Sequence, residues 1–167
     1  YAQASSGLRG PEATDTLVVE HLGTNLVSIT LAFSNVYPDG RRIIWGSSAL
    51  DVFKVDPSGG GLRLITSVSK PSGLGNLISG AYTLVDRKGR FYSTEIDSID
   101  VYADEVPGDP ESDIVRLDRW ELPDPGDEEA VIGLSLTWDG WLAFATSRGR
   151  VGVLSRDFER SHLVTLG

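Results

Sequence analysis

The sequence contains no cysteine, no methionine and only two histidines in its 167 residues. Without cysteine the chain cannot form a disulfide, a thiolate metal site or a cysteine nucleophile. No apolar run approaches the roughly 18 residues that cross a bilayer, so we predict no membrane span. No segment keeps a helical hydrophobic period over about ten residues, which argues against an α-helical fold.

Basic residues are also scarce: there are 15 Lys and Arg against 24 Asp and Glu, for a formal net charge of -9. Such a chain repels phosphate backbones, because non-specific nucleic-acid binding needs clustered Lys and Arg. Nucleic acid is therefore not an expected partner. Hydrophobic residues make up 40% and charged residues 23%, which is the balance of a folded globular protein.

The patterns of several common active sites are missing. His21 and His162 both fall on predicted edge strands, and neither has a Ser or Asp partner at a recognisable spacing, so a Ser-His-Asp hydrolase has little support. Gly73, Gly75 and Gly80 lack the spacing and the Lys of a phosphate-binding loop.

The first 15 residues are polar and are predicted to form a flexible N-terminal segment. The stretch Ala2-Gln3-Ala4 is similar to the small-residue end of a secretory signal, which is consistent with a processed, secreted or periplasmic chain. A truncated chain explains the missing initiator Met equally well, so the compartment stays open.

A long internal repeat is the main positive feature of the sequence. A turn signal follows an apolar strand at Asp39-Gly40, Lys88-Gly89 and Asp139-Gly140, so the turns recur about every 50 residues. Each turn is preceded by one Val-, Ile-, Thr- or aromatic-rich run and followed by three more. We therefore predict four antiparallel strands per unit, with a two-residue hairpin after the first strand.

The three units span about 28–68, 80–122 and 132–166. An all-β repeat of this length predicts a β-propeller rather than a sandwich, whose turns do not recur with a long fixed period. One extra strand, Thr16–Leu22, precedes the first unit. The predicted architecture is thus a partial β-propeller over 16–167.

Closed propellers contain about four to eight blades, and only three units plus one strand are present here. The outer faces of the first and third units would then expose apolar surface. We expect another chain, a second copy or further sequence to complete the ring.

The strings GAYTLVDRKGRFYSTEIDSIDVYAD and GLSLTWDGWLAFATSRGRVGVLSRDF resemble blades of the six-bladed superfamily of gluconolactonase-like, strictosidine-synthase-like and NHL-repeat proteins. The resemblance implies a divalent metal, usually calcium, held by Glu, Asn and Asp at the inner strand ends. The candidate ligands are Glu12, Asn35 and Asn76. Each departs from the family pattern, since Gly75-Asn76-Leu77 replaces the usual Asn-Gly before an inner strand.

Two acidic loops, 104–113 and 124–129, are further candidates for calcium, but neither has the spacing of a twelve-residue calcium loop. Solvated surface loops are the simpler interpretation. Trp138 and Trp141 flank the third turn. They are expected to pack between blades, with a ligand-binding role as the alternative.

Two functions remain open at this point. The first is a binding module for a ligand or partner protein, which needs no catalytic constellation. The alternative, implied by the resemblance, is a calcium-dependent lactone or ester hydrolase, so the sequence does not decide whether the protein is an enzyme.

Overall fold

The structure is a computed structural model that describes residues 29–48, 51–71 and 82–166. The first four strands are β1 (Ile29–Val36), β2 (Arg42–Ser48), β3 (Asp51–Asp56) and β4 (Arg63–Ser69). The next four are β5 (Thr83–Val85), β6 (Phe91–Thr94), β7 (Ser98–Asp104) and β8 (Ile114–Glu121). The last four are β9 (Val131–Leu136), β10 (Leu142–Thr146), β11 (Arg150–Leu154) and β12 (Ser161–Thr165). A short 3-10 helix, Ser58–Gly60, lies between β3 and β4.

The strands form three antiparallel sheets in chain order: sheet 1 is β1-β2-β3-β4, sheet 2 is β5-β6-β7-β8 and sheet 3 is β9-β10-β11-β12. The prediction of an all-β chain built from successive antiparallel sheets is confirmed. No helix in the described ranges is long and apolar enough to cross a membrane. The predicted N-terminal segment and the strand Thr16–Leu22 lie outside the described residues.

The three repeated turns differ from the prediction in one respect. The N–H of Gly40 donates to the carbonyl of Tyr37 over 2.8 Å, and the N–H of Tyr37 donates to the carbonyl of Arg41 over 2.9 Å. Gly40, Gly89 and Gly140 have φ of 87°, 77° and 90°. Each loop therefore contains three residues, a type I turn that ends on a left-handed glycine, and not the two residues expected.

Strand direction gives each sheet two distinct ends. The glycine turns lie at one end, here called the lower end, together with the loops 105–113 and 155–160. The upper end carries the β2–β3, β6–β7 and β10–β11 turns and the connections between sheets, because each four-stranded sheet begins and finishes there.

The sheets pack on one another through aromatic side chains. Trp45 of sheet 1 stacks on Phe91 of sheet 2, with ring centroids 5.6 Å apart, and Trp120 of sheet 2 contacts Phe144 of sheet 3 at 4.9 Å. All four rings are buried. Such pairs combine a large buried area with a specific ring geometry, so they fix the stacking of one sheet on the next.

Alternation along the strands divides each sheet into two faces. The forward face points toward the next sheet along the chain, and the rear face points the other way. The forward face of sheet 1 includes Ile43, Trp45, Val52 and Lys54, and that of sheet 2 includes Tyr92, Thr94, Ile99 and Val101. Both faces are buried against the following sheet.

The alternation of apolar residues in the inner strands predicts burial for eleven positions: Phe33, Ile44, Val52, Tyr82, Leu84, Phe91, Val101, Leu134, Leu136, Phe144 and Val153. Five of them are buried: Ile44, Val52, Phe91, Val101 and Phe144. Leu84, Leu134, Leu136 and Val153 are half-buried. Tyr82 is 40% exposed, because it precedes β5 instead of lying within it, so that prediction is wrong. The burial of Phe33 lies outside what the structure describes.

Candidate functional site

A row of polar side chains crosses sheet 2 on the rear face, which packs against sheet 1. The row consists of Thr83, Ser93, Asp100 and Arg119, which are cross-strand neighbours on β5, β6, β7 and β8. We call these four residues, with Ser47, Lys70, Glu95 and Tyr102 beside them, the polar cluster. It occupies the upper half of the interface between sheets 1 and 2.

Asp100 is the buried centre of this cluster. Its side chain has no exposed surface and accepts two hydrogen bonds from Arg119, from Nε and Nη2, both of 2.9 Å. Nη1 of Arg116 lies 3.7 Å away. The hydrogen bond to Asp100 raises the pKa of Arg119, and the bidentate geometry is that of a strong charge-assisted pair.

Lys70 and Glu95 form a second buried pair, with Nζ and Oε1 3.5 Å apart and both side chains 2% exposed. Burial lowers the pKa of Lys70, and the charge of Glu95 opposes that effect. Next to them the hydroxyls of Ser47 and Ser93 are 3.1 Å apart and join the two sheets. Ionic and hydroxyl groups are thus concentrated at the buried interface between sheets 1 and 2.

Two hydroxyls of the cluster have no hydrogen-bond partner among the described residues. They are Oγ1 of Thr83 and Oη of Tyr102. Burial raises the pKa of the Tyr102 hydroxyl, and the carboxylate of Asp100 raises it further. Buried polar groups are normally paired, so a cluster with unfilled hydrogen-bonding capacity stands out from an ordinary core.

Sequence reasoning missed the polar cluster. Its residues alternate with apolar ones in strands, as in Ile99-Asp100-Val101, a pattern that equally describes a strand with one solvated face. The buried Asp and Ser become distinguishable only when sheet 1 covers that face.

At the lower end, loop 105–113 of sheet 2 reaches back to sheet 1. Glu111 pairs with Arg41 and with Arg63, whose Nη2 lies 2.6 Å from Oε1. These two guanidinium groups lower the pKa of Glu111 to about 2. Asp104, at the end of β7, is bound by Nζ of Lys54 at 2.5 Å. Two of the five carboxylates in 104–113 are therefore paired with cations of sheet 1, so the expectation of a merely solvated loop is incomplete.

The second acidic loop is tied to its own sheet. Glu129 is buried and accepts hydrogen bonds from Nε of Arg150 at 2.7 Å, from Nη2 at 2.6 Å and from the Thr146 hydroxyl at 2.5 Å. Arg150 lowers the pKa of Glu129 to about 2. Glu129 therefore joins the loop before β9 to Thr146 and Arg150 at the upper end of sheet 3.

The side chains of the three predicted metal ligands all lie outside what the structure describes. Glu12 and Asn76 lie outside the described residues, and Asn35 lies on β1 with a side chain that is likewise not described. Within 29–48, 51–71 and 82–166, no group of three or more His, Asp or Glu side chains is arranged to hold a metal. The calcium site stays a prediction.

The forward face of sheet 3 is open, in contrast to the same face of sheets 1 and 2. It is lined by small and apolar side chains, and the four from β10 and β11, which are Ala143, Ala145, Val151 and Val153, are only half-buried. The side chains of this face that line its shallow depression come from all four strands: Gly133, Ser135, Ala143, Ala145, Val151, Val153, His162 and Val164.

Aromatic groups flank the lower corner of this open face. Trp138, at the tip of the third turn, is 99% exposed, so the expectation of a core position is wrong for it. The guanidinium of Arg160 lies 4.9 Å from the ring centroid of Trp141, and His162 lies 6.3 Å from the same ring. His162 is on the outermost strand, as predicted.

The fold of this chain is similar to that of a known β-propeller. No protein-family model matches the chain. An uncharacterised protein from Archaeoglobus fulgidus is 35% identical over 167 aligned positions, which cover 95% of this chain and 30% of that protein. The chain thus spans less than a third of the length of this relative.

Among solved structures, the virginiamycin B lyase of Staphylococcus aureus, a β-propeller, superposes with a TM-score of 0.54 and 17% identity. The match covers 86% of this chain and 43% of the lyase chain. The chain has a propeller-like β fold. A protein of unknown function from Bacteroides caccae superposes with a TM-score of 0.49 and 11% identity, over 82% of this chain and 45% of its own.

Proposed function

We propose that the chain is a binding module within a larger β-propeller, in which the forward face of sheet 3 binds a further sheet. The observation that carries this proposal is the contrast between equivalent faces. Val101 on the forward face of sheet 2 is 3% exposed because sheet 3 covers it, whereas Val153, in the same place on sheet 3, is only half-buried.

The comparisons support the same proposal. The three sheets correspond to less than half of the lyase chain and to 30% of the relative from Archaeoglobus fulgidus. A propeller is a ring of sheets that pack face to face, so a further sheet would pack on a forward face that has no neighbour. The six-bladed ring and the calcium-dependent hydrolase implied by the sequence resemblance stay as predictions, and the proposed function depends on neither.

A matched pair of substitutions tests the proposal. Val101→Glu buries a carboxylate between two sheets and should cost about 3 kcal/mol or more of unfolding free energy. Val153→Glu, placed on an open face, should cost less than about 1 kcal/mol. It should also reduce the fluorescence of the dye ANS, which binds exposed apolar surface, and reduce any self-association in light scattering.

Urea unfolding of both variants gives the comparison directly. The proposal fails if Val153→Glu destabilises the chain as much as Val101→Glu does. It also fails if the unmodified chain binds no ANS, since sheet 3 would then already be covered.

A further inference from the structure

The interface between sheets 1 and 2 shows how a sheet receives its successor at the lower end. Loop 105–113 of sheet 2 folds back over the first turn, where Glu111 pairs with Arg41 and Arg63. Gly108 of this loop packs closely on Pro38, such that a β-carbon added to Gly108 would lie 3.4 Å from the Pro38 ring. The loop thus supplies both a carboxylate and a close apolar contact.

The next interface repeats this arrangement with different chemistry. Loop 155–160 of sheet 3 folds back toward the second turn, where Phe158 meets Tyr92 edge-on with ring centroids 6.4 Å apart. In both interfaces the lower loop of the later sheet therefore contacts the residues beside the turn of the earlier sheet.

The residues around the third turn, in sheet 3, can be compared with those around the first turn that contact loop 105–113. Trp138 stands two residues before its turn glycine, as Pro38 does in sheet 1. Trp141 directly follows the glycine, in the place of Arg41. Arg160 immediately precedes the fourth strand of sheet 3 and lies over the ring of Trp141, as Arg63 at the start of β4 lies beside Arg41 on Glu111. Arg160 forms no salt bridge with any described residue.

From this correspondence we infer that Trp138, Trp141 and Arg160 bind the lower loop of a further four-stranded sheet, and that this loop carries a carboxylate for Arg160 and an apolar side chain for the two tryptophans. The inference rests on the proposed function and specifies the chemistry of the partner. Exposed Trp and Arg side chains are the residue types that contribute most to binding at protein interfaces. The cation of Arg160, already placed over an aromatic ring, is oriented for such a contact.

The small side chains of the open face agree with this partner. Trp45 on the forward face of sheet 1 receives Phe91 from its successor. The place of Trp45 is taken by Ala145 in sheet 3, and Ala143 lies beside it. A shallower face of this kind leaves room for a larger side chain on the second strand of the incoming sheet.

A further sheet of a longer protein is the occupant that fits, in preference to a second copy of this chain. For a second copy to extend the ring, its sheet 1 would have to present its rear face to sheet 3. The rear-face residues Ile44, Phe53 and Val55 are 8%, 3% and 0% exposed, so that face is already covered. The expectation that the first unit exposes an apolar outer face is therefore wrong at these positions. A sheet with a free rear face must therefore come from elsewhere in the protein, which agrees with the 30% coverage of the longer relative.

The loop that occupies the equivalent place on sheet 1 provides a probe. Asp104 and Ile114 are direct cross-strand partners at its base. A peptide that carries residues 105–113 between two terminal cysteines, closed by a disulfide and labelled with fluorescein, should therefore keep the loop conformation. Fluorescence anisotropy then measures its binding to the 167-residue chain.

We expect saturable binding that weakens about tenfold for Arg160→Gln and for Trp138→Ala, and about tenfold when Glu111 of the peptide is replaced by Gln. Arg87→Gln is the matched control, because Arg87 is exposed at the tip of the second turn in the place of Trp138. It should leave binding unchanged. Added salt should weaken binding to the unmodified chain, since the contact includes an exposed ion pair.

The inference is overturned if the peptide does not bind, or if Arg160→Gln and Trp138→Ala bind it as the unmodified chain does. Either result would leave the proposed function intact, provided that Val153→Glu behaves as an open-face substitution. If Val153→Glu instead behaves like Val101→Glu, the proposed function itself is wrong.

Discussion

Lys54 carries the most demanding prediction, because its side chain is fully buried between sheets 1 and 2. Its ammonium group donates to Oδ1 of Asp104 at 2.5 Å and to the carbonyl of Ser112 at 2.7 Å. The hydroxyl of Tyr37 donates to the other oxygen of Asp104 over 2.7 Å. The ring of Trp45 lies beneath the ammonium group, 5.4 Å from centroid to nitrogen.

Lys54→Met keeps the length of the side chain and removes its charge. Asp104, whose side chain is 9% exposed, then remains as a buried carboxylate with the Tyr37 hydroxyl as its remaining donor from this network. Removing one partner of a buried ion pair typically costs about 3 to 5 kcal/mol, because the other charge stays desolvated without compensation. Asp104→Asn should cost a similar amount, since it leaves the ammonium group buried.

The double variant Lys54→Met/Asp104→Asn removes both charges, so its cost should be smaller than the sum of the two single costs. Urea unfolding of the four proteins gives this coupling energy. Arg63→Gln is the control: it breaks the pair with Glu111 across the same interface, but Arg63 is 54% exposed, and we expect a cost below about 1 kcal/mol. The reasoning is refuted if Lys54→Met costs no more than Arg63→Gln, or if the two single costs are additive.

Two other predictions concern sheet 3 and the turns. Arg150 lowers the pKa of Glu129 from 4.5 to about 2, so the pair stabilises the fold above about pH 4.5 and this stabilisation is lost as the pH falls toward 2. Glu129→Gln should therefore lower the urea midpoint near pH 6 but not near pH 2, and an equal decrease at both would contradict the assignment. Gly89→Ala should cost about 1 to 2 kcal/mol because Gly89 has φ of 77°, although nothing lies within 4 Å of an added β-carbon. Gly61→Ala has the same free space at φ of -151° and should cost less by at least half, so equal costs in thermal unfolding would show that strain at φ is not the cause.

The sequence by itself determined the class of the fold and the positions of its turns. Gly40, Gly89 and Gly140 adopt left-handed φ values that other residues rarely reach. Because each turn needs a glycine at this position, the spacing of the glycines revealed the repeat in the sequence. Alternation of apolar residues then identified the strands between them, because each face of a strand has a period of two. Local conformation and local pattern were sufficient for both.

Pairing across interfaces was decided by the tertiary structure. Asp100 and Glu111 look like ordinary acidic residues in the sequence, yet one is fully buried on Arg119 and the other is clamped by two arginines of sheet 1. Their partners are distant along the chain, and no local pattern encodes which sheet covers which face.

The open face of sheet 3 is a second feature that the sequence alone does not predict. Val153 and Val101 occupy matching strand positions and have the same side chain, so the sequence predicts burial for both. Their surroundings differ because sheet 3 covers Val101, whereas the forward face that carries Val153 is open. Burial is a property of the neighbour as much as of the residue, which is why only the tertiary structure could separate a core position from a binding surface.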